Sequence, residues 1–148
     1  MIFEPLAGQR HVMITDSRKR TDFANCIQMI KDEYYPNCEK IVLVMDNLNT
    51  HPVASLYAAF SPEKARRLAE KLEIHYTPKH ASWLDMAEIE IGIMSRQCLS
   101  DYLANKDKIE AKVLAWCTKR NSNNYKVDWQ FTTSDARIKL KRPYPIID

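Results

Sequence analysis

Glycine is nearly absent: Gly8 and Gly92 are the only two in 148 residues. A glycine-rich loop that cradles a nucleotide phosphate cannot be built from them, which argues against P-loop and dinucleotide-binding classes. Long apolar runs are absent too, so no membrane-spanning helix is expected. The opening Met1-Ile2-Phe3-Glu4-Pro5 lacks the basic and apolar regions of a secretion signal, and a cytoplasmic protein is expected. Cysteine is sparse. Cys26, Cys38, Cys98 and Cys117 form no CxxC pair, and no histidine pair completes a zinc pattern. They read as small buried apolar residues or free thiols, with a structural zinc as the lesser alternative. A large excess of charge of one sign is missing as well. A net charge of +3 is compatible with a nucleic-acid partner and does not establish one.

What is present is an ordinary globular balance, 45% hydrophobic and 28% charged. The length fits one domain over 1–148, large enough to bury a core. No repeat or long linker interrupts it, and Asn121-Ser122-Asn123-Asn124 reads as a surface loop. Residues 1–7 and 10–15 read as two short strands of a hairpin turning near Gly8, with Val12 and Ile14 alternating with polar residues. Thr21 offers a cap for a helix whose apolar face is Phe23, Ile27, Ile30 and Tyr34, ended by Pro36. Ile41-Val42-Leu43-Val44-Met45 is short, β-branched and bounded by polar residues, which predicts a strand buried on both faces. Pro52 opens a predicted helix with Val53, Leu56, Tyr57 and Phe60 on one side. Ser61-Pro62 starts another, with Ala65, Leu68, Ala69 and Leu72 in its buried stripe. Ile74 and Tyr76 predict a short strand closed by Pro78. Helices follow over about 84–99 and around Ile109, Val113 and Trp116. Val127, Trp129 and Phe131 alternate in an extended segment, and Thr133 caps a final basic helical turn. Strands alternating with helices predict an α/β sheet covered by helices.

Two carboxylates stand out. Asp46 ends the most apolar strand, and in open α/β sheets ligands gather at the carboxyl ends of strands. A turn or helix cap is the competing role, since Asp-Asn followed by Asn-Thr-His invites a turn. Glu88 lies in an otherwise apolar helix, with the small residues Gly92 and Ser95 on its own face, leaving room for a metal ion or a phosphate. It can equally be a surface glutamate, because Glu90 and Arg96 also place polar groups on that helix. His51 and His80 fall in loops near these carboxylates, whereas His75 sits in a strand pattern and reads as structural. Trp83 can stack on a base or pack at the helix start. Arg18-Lys19-Arg20 and Lys139-Leu140-Lys141-Arg142 are compact basic clusters, each either a solvated face or a phosphate contact.

Together these segments resemble a known family. Asp46-Asn47-Leu48-Asn49-Thr50-His51 is similar to the second-aspartate motif of DDE transposases. Tyr76-Thr77-Pro78-Lys79-His80-Ala81-Ser82-Trp83-Leu84-Asp85-Met86-Ala87-Glu88 resembles the segment that delivers their third carboxylate in the mariner superfamily. Leu84-Asp85-Met86-Ala87-Glu88 occupies the end of that motif, which maps the catalytic glutamate onto Glu88 rather than Glu90. The separation from Asp46 is somewhat longer than is usual there, and the helix capped at Ser61-Pro62 accounts for the extra length. Trp129-Gln130-Phe131-Thr132-Thr133 with Asp135-Ala136-Arg137-Ile138-Lys139-Leu140 resembles the C-terminal end of the bacterial insertion-sequence branch.

The resemblance implies a ribonuclease-H-like mixed sheet with helices on both faces. It implies two divalent ions, Mg²⁺ or Mn²⁺, clamped by carboxylates that include Asp46 and Glu88, for cleavage and strand transfer of DNA. Arg18, Lys19, Arg20, His51, Lys79, His80, Lys139, Lys141 and Arg142 then become candidate DNA contacts. One part of the pattern has no match. The family's first aspartate ends a first strand upstream of such a hairpin, and neither Asp16 nor Asp22 occupies that place. The expectation is an N-terminally truncated catalytic core, with little activity alone and with unpaired strand edges. Such edges could be met by a second copy or by an upstream transposase segment. The alternative is a catalytically inactive fragment that only binds DNA or transposase. A different nuclease on the same fold is a third reading.

Overall fold

A computed structural model describes residues 1–46, 52–77, 85–100, 105–128, 130 and 132–139. The elements are β1 (Ile2–Glu4), β2 (Gln9–His11), α1 (Arg20–Met29), β3 (Ile41–Met45), α2 (Ala54–Ala59), α3 (Pro62–Ala69), β4 (Leu72–Tyr76), α4 (Met86–Cys98), α5 (Lys106–Ser122) and α6 (Thr133–Lys139). They fall into two compact units, one made of residues 1–12 with 78–148 and one of 13–77. The architecture is mixed α/β with two small sheets, one antiparallel and one parallel. No helix among the described residues is long and apolar enough to cross a membrane.

The 13–77 unit is organised by the parallel pair β3 and β4, in register from Ile41 opposite Leu72 to Met45 opposite Tyr76. Parallel neighbours need a crossover, and α2 and α3 supply it. The Ser61-Pro62 signal holds: Ser61 Oγ accepts from the Lys64 N–H at 3.4 Å, and Pro62 opens α3. Ala24, Ile27, Ile30, Leu56, Ala65 and Leu68 are buried and form the core. Leu72, assigned by periodicity to the α3 stripe, instead begins β4. Tyr57 is exposed, because its short helix buries only Ser55 and Leu56. The strand predicted to be buried on both faces is not. Val42 and Val44 are 61% and 56% exposed, while Met45 is buried. Among the described residues β3 pairs only with β4, and its burial alternates instead of being continuous.

Local chemistry sets the helix ends. α1 begins before Thr21, because the Asp22 carboxylate accepts from the Lys19 N–H at 2.7 Å and caps the first turn one residue earlier than Arg20. At its other end the helix widens into a π turn over Ile30–Tyr34, with the Tyr35 N–H reaching the Ile30 carbonyl at 2.9 Å. The buried Lys31 ammonium donates to the carbonyls of Tyr35 and Pro36, so the turn that ends the helix satisfies its own freed acceptors. Pro36 follows, as predicted.

Arg67 of α3 forms a two-pronged pair with Asp32 of this turn, at 2.8 and 3.0 Å. The guanidinium holds the Asp32 carboxyl below its usual value, chiefly through that hydrogen bond. A depressed carboxyl pKa adds stability above the unfolded value of about 4 and loses it as pH falls through the lower folded value. Both groups are partly exposed, so Asp32→Asn is expected to cost no more than about 1 kcal/mol at pH 7. Urea unfolding should show that difference shrinking to nothing near pH 2. A difference that grows as pH falls would contradict the pairing.

In the other unit, β1 and β2 form an antiparallel hairpin with Phe3 opposite Arg10. The strands are shorter than the alternation predicts, since β2 stops at His11. Gly8 has φ 68°, and a Cβ there would stand 3.0 Å from the backbone carbons of Asn124 and Tyr125. Both the left-handed backbone and the close approach demand glycine. Met94, Val113, Trp116 and Cys117 are buried between α4 and α5. Residues 125–128 form no strand, although the Val127 N–H bonds the Pro5 carbonyl at 3.1 Å. Trp129 and Phe131 lie outside the described residues. The last helix is capped by Thr132 rather than Thr133: its N–H and hydroxyl both donate to Asp135 Oδ2, at 2.9 and 2.6 Å. All four cysteines are free thiols, and burial pushes those of Cys26, Cys98 and Cys117 up.

Candidate active site

Asp46 follows the buried Met45 at the carboxyl end of β3 and is partly exposed. The Thr77 N–H donates to the Met45 carbonyl at 2.9 Å, so the chain leaving β4 is tied to the chain leaving β3. Asp46 therefore sits at the carboxyl edge of a parallel pair, the edge where α/β sheets hold ligands.

Glu88 is the third residue of α4. Asp85 caps that helix, its Oδ1 accepting from the Ala87 N–H at 2.9 Å and the Glu88 N–H at 3.3 Å. The first turn is thereby fixed, and the positive end of the helix favours a carboxylate there. The Glu88 side chain is exposed. One turn on, among the described residues, a Cβ added at Gly92 would meet only Arg96 Nη1, at an ordinary 3.6 Å. Asp46 belongs to the 13–77 unit and Glu88 to the other, and each is placed within its own unit.

Glu90 differs sharply from Glu88. It is 3% exposed, against 0% for Arg10. Its Oε1 accepts from Arg120 Nε at 2.8 Å and lies 2.9 Å from Arg10 Nε, an ion-pair contact whose N–H is not aimed along the line. Arg10 also donates from Nη1 to Asn121 Oδ1 at 3.1 Å and from Nη2 to the Tyr125 carbonyl at 2.7 Å. Its guanidinium lies over the Phe3 ring, and that of Arg120 over Trp116 and Tyr125. Burial pulls the Arg10 pKa down, helped by the charge of Arg120 and opposed by Glu90. Sequence reasoning treated Glu90 as a surface group and passed over Arg10 and Arg120. The available signal was a charge in the apolar row Met86, Glu90, Met94, spaced one turn apart.

Of the basic candidates, Arg18, Lys19 and Arg20 are exposed together at the start of α1. Lys139 lies in α6, and nothing is described of its side chain. His51, Lys79, His80, Lys141 and Arg142 lie outside the described residues, as does Trp83. His75 is exposed on β4, with Nε2 3.0 Å from Glu73 Oε1, and Glu73 also accepts from Lys40 at 2.6 Å. Lys40 and then His75 hold the Glu73 carboxyl below its usual value.

Residues 1–110 match the family described as DDE superfamily endonuclease. The chain belongs to that family. The matched stretch contains both Asp46 and Glu88. No curated protein and no solved structure matches the chain. A DDE endonuclease domain acts on DNA, and the superfamily generally depends on divalent metal. The donor chemistry of this DDE domain fits such ions: Asp46 and Glu88 offer carboxylate oxygens, the hard ligands that Mg²⁺ and Mn²⁺ prefer. Among the described residues, no three His, Cys, Asp or Glu side chains stand together.

Proposed function

We propose that this chain is the catalytic core of a DDE transposase of the mariner superfamily, from the bacterial insertion-sequence branch, acting in the cytoplasm. In this reading 1–148 is one ribonuclease-H-like domain that cuts transposon ends and joins them to target DNA. The observation that carries it is the placement of the two motif carboxylates. One ends an apolar parallel strand, and the other stands exposed in the capped first turn of a helix, both inside the family match.

Asp46 and Glu88 would hold the divalent ions. When bound, such ions activate the attacking hydroxyl and stabilise the leaving oxygen of a phosphodiester. The chain's own part is positional. The Met45–Thr77 hydrogen bond steadies the backbone beside Asp46. The Asp85 cap steadies that of Glu88. Arg18, Lys19 and Arg20 would meet DNA phosphates, with His51, Lys79, His80, Lys139, Lys141 and Arg142 as further contacts, so binding should weaken as salt rises. DNA would be the substrate, and a second copy or an upstream transposase segment would be a further partner.

The test is a strand-transfer assay on DNA carrying the element's ends. It is run on the chain alone and on the chain joined to the polypeptide encoded directly upstream. Expected is cleavage and joining that needs Mg²⁺ or Mn²⁺ and stops with a chelator. DNA retained but never cut by either form would leave a binding module. Preferential cutting of RNA–DNA hybrids would point to another nuclease on the same fold.

A further inference from the structure

Among the described residues β4 flanks β3 on one side and no strand flanks it on the other. The parity of its hydrogen bonds shows which backbone groups face the open side. The Ile41 N–H donates to the Lys71 carbonyl at 2.7 Å, and the Met45 carbonyl accepts from the Thr77 N–H at 2.9 Å. In a parallel pair the amide and carbonyl of one residue face the same neighbour, and successive residues alternate. Ile41, Leu43 and Met45 therefore turn their backbone groups to β4. Val42 and Val44 turn theirs to the open edge.

The side chains of these two valines are exposed as well. They share a face of the sheet with Lys40, whose Nζ donates to Glu73 Oε2 at 2.6 Å, Glu73 standing beside Val42 on β4. Alternation carries Asp46 to that face too. Along it the strand reads Lys40, Val42, Val44, Asp46: a cation, two β-branched apolar residues and an anion. Edge strands are normally blunted by an internal charge, a proline or a bulge. Residues 41–45 carry none of these.

That row is complementary to itself. A second β3 turned end for end about Leu43 sets Val42 opposite Val44 of the other copy and Lys40 opposite its Asp46, and symmetry repeats each pair. The valines are also the residues with edge-facing amides and carbonyls, so the same register closes a hydrogen-bonded ladder. Parallel pairing would set Lys40 against Lys40 and Asp46 against Asp46, like charges opposite one another. A shift by two residues sets Lys40 or Asp46 opposite a valine. A shift by one sets the edge groups opposite residues already bonded to β4. The outer edge of β4 offers no such row, since its alternation runs on into Pro78, which has no N–H.

We propose that two copies of this chain pair through their β3 edges, antiparallel and centred on Leu43, into one continuous sheet. This gives the second copy of the catalytic reading a definite surface, and the pairing itself needs no ion at Asp46.

The test is sedimentation of the full chain, with a chelator present so that no ion competes for Asp46. Reversible exchange between monomer and dimer is expected. Lys40→Glu sets an acid opposite each Asp46 and should raise the dimer dissociation constant at least about tenfold, and Asp46→Lys should do the same. The double variant Lys40→Glu, Asp46→Lys again sets opposite charges across the pair and should recover most of the lost affinity. Amide exchange by NMR reads the register. The Val42 and Val44 amides should become protected as concentration rises, while that of Leu43 is protected throughout.

A chain that stays monomeric at NMR concentrations overturns the proposal. So does a dimer that both single variants leave unchanged, one that the double variant fails to restore, or one in which the Val42 and Val44 amides exchange freely. Should a charge variant fail to fold, amide exchange in the wild-type chain decides alone. The metal reading is decided separately, by the strand-transfer assay.

Discussion

Replacing Glu90 with glutamine should cost about 3–5 kcal/mol of stability, whereas Glu88→Gln, two residues away, should change it by no more than about 0.5 kcal/mol. The substitutions are chemically identical, so the difference lies in the surroundings. The Glu90 carboxylate is buried between two guanidinium groups. Glutamine keeps the shape and one acceptor oxygen but removes the negative charge. Arg10, already disfavoured by burial and by Arg120, would lose the carboxylate that offsets both. Glu88 stands in solvent, and its backbone N–H, which bonds Asp85, is untouched by the change. With a domain of this size stable by only about 5–15 kcal/mol, Glu90→Gln should bring the chain close to unfolding at room temperature. Urea melts of the two variants decide it. Equal and small losses would show that the cluster is far more hydrated than its burial indicates.

Asp46→Asn and Glu88→Gln should each reduce metal-dependent strand transfer at least about a hundredfold, more than is usual for removing a mere supporting contact to a metal ligand. The amides match the carboxylates in size and leave both backbones in place. What they remove is the charge that draws a hard dication out of water. DNA retention should persist in both variants, because the exposed Arg18, Lys19 and Arg20 are unchanged. Gel-shift and strand-transfer assays run side by side on the form that is active separate the two effects. Parallel loss of binding and transfer would make these carboxylates structural.

Much of this arrangement was legible in the residues. The run ending at Asp46 is a strand, Ser61-Pro62 opens a helix, and Asp46 and Glu88 stand at an element's end and start. These signals are local: β-branched runs, a hydroxyl cap, a fixed proline φ. The misses share a different cause. Val42 and Val44 look like core residues, but exposure depends on which elements cover a strand, and composition does not encode that. Glu90 looks like a surface group because a glutamate becomes affordable inside only when arginines distant in sequence arrive beside it. Thr21 and Thr133 were plausible caps, yet carboxylates at Asp22 and Asp135 accept the freed N–H groups one or two residues before them. Helix starts are chosen by competition among neighbours, and a single good cap residue does not decide it.

Arg10 has another consequence, one of timing. Its partners Glu90, Arg120, Asn121 and Tyr125 lie at least eighty positions later in the chain, and Gly8 packs on residues 124–126. At a synthesis rate of about 10 residues per second, a newly made hairpin waits on the order of ten seconds before those partners leave the ribosome. Residues 13–77 have no such wait, since their pairing and packing are internal to one continuous stretch. The order of folding during synthesis is thus the reverse of the order of the first elements. The middle of the chain settles first, and its opening strands are claimed last.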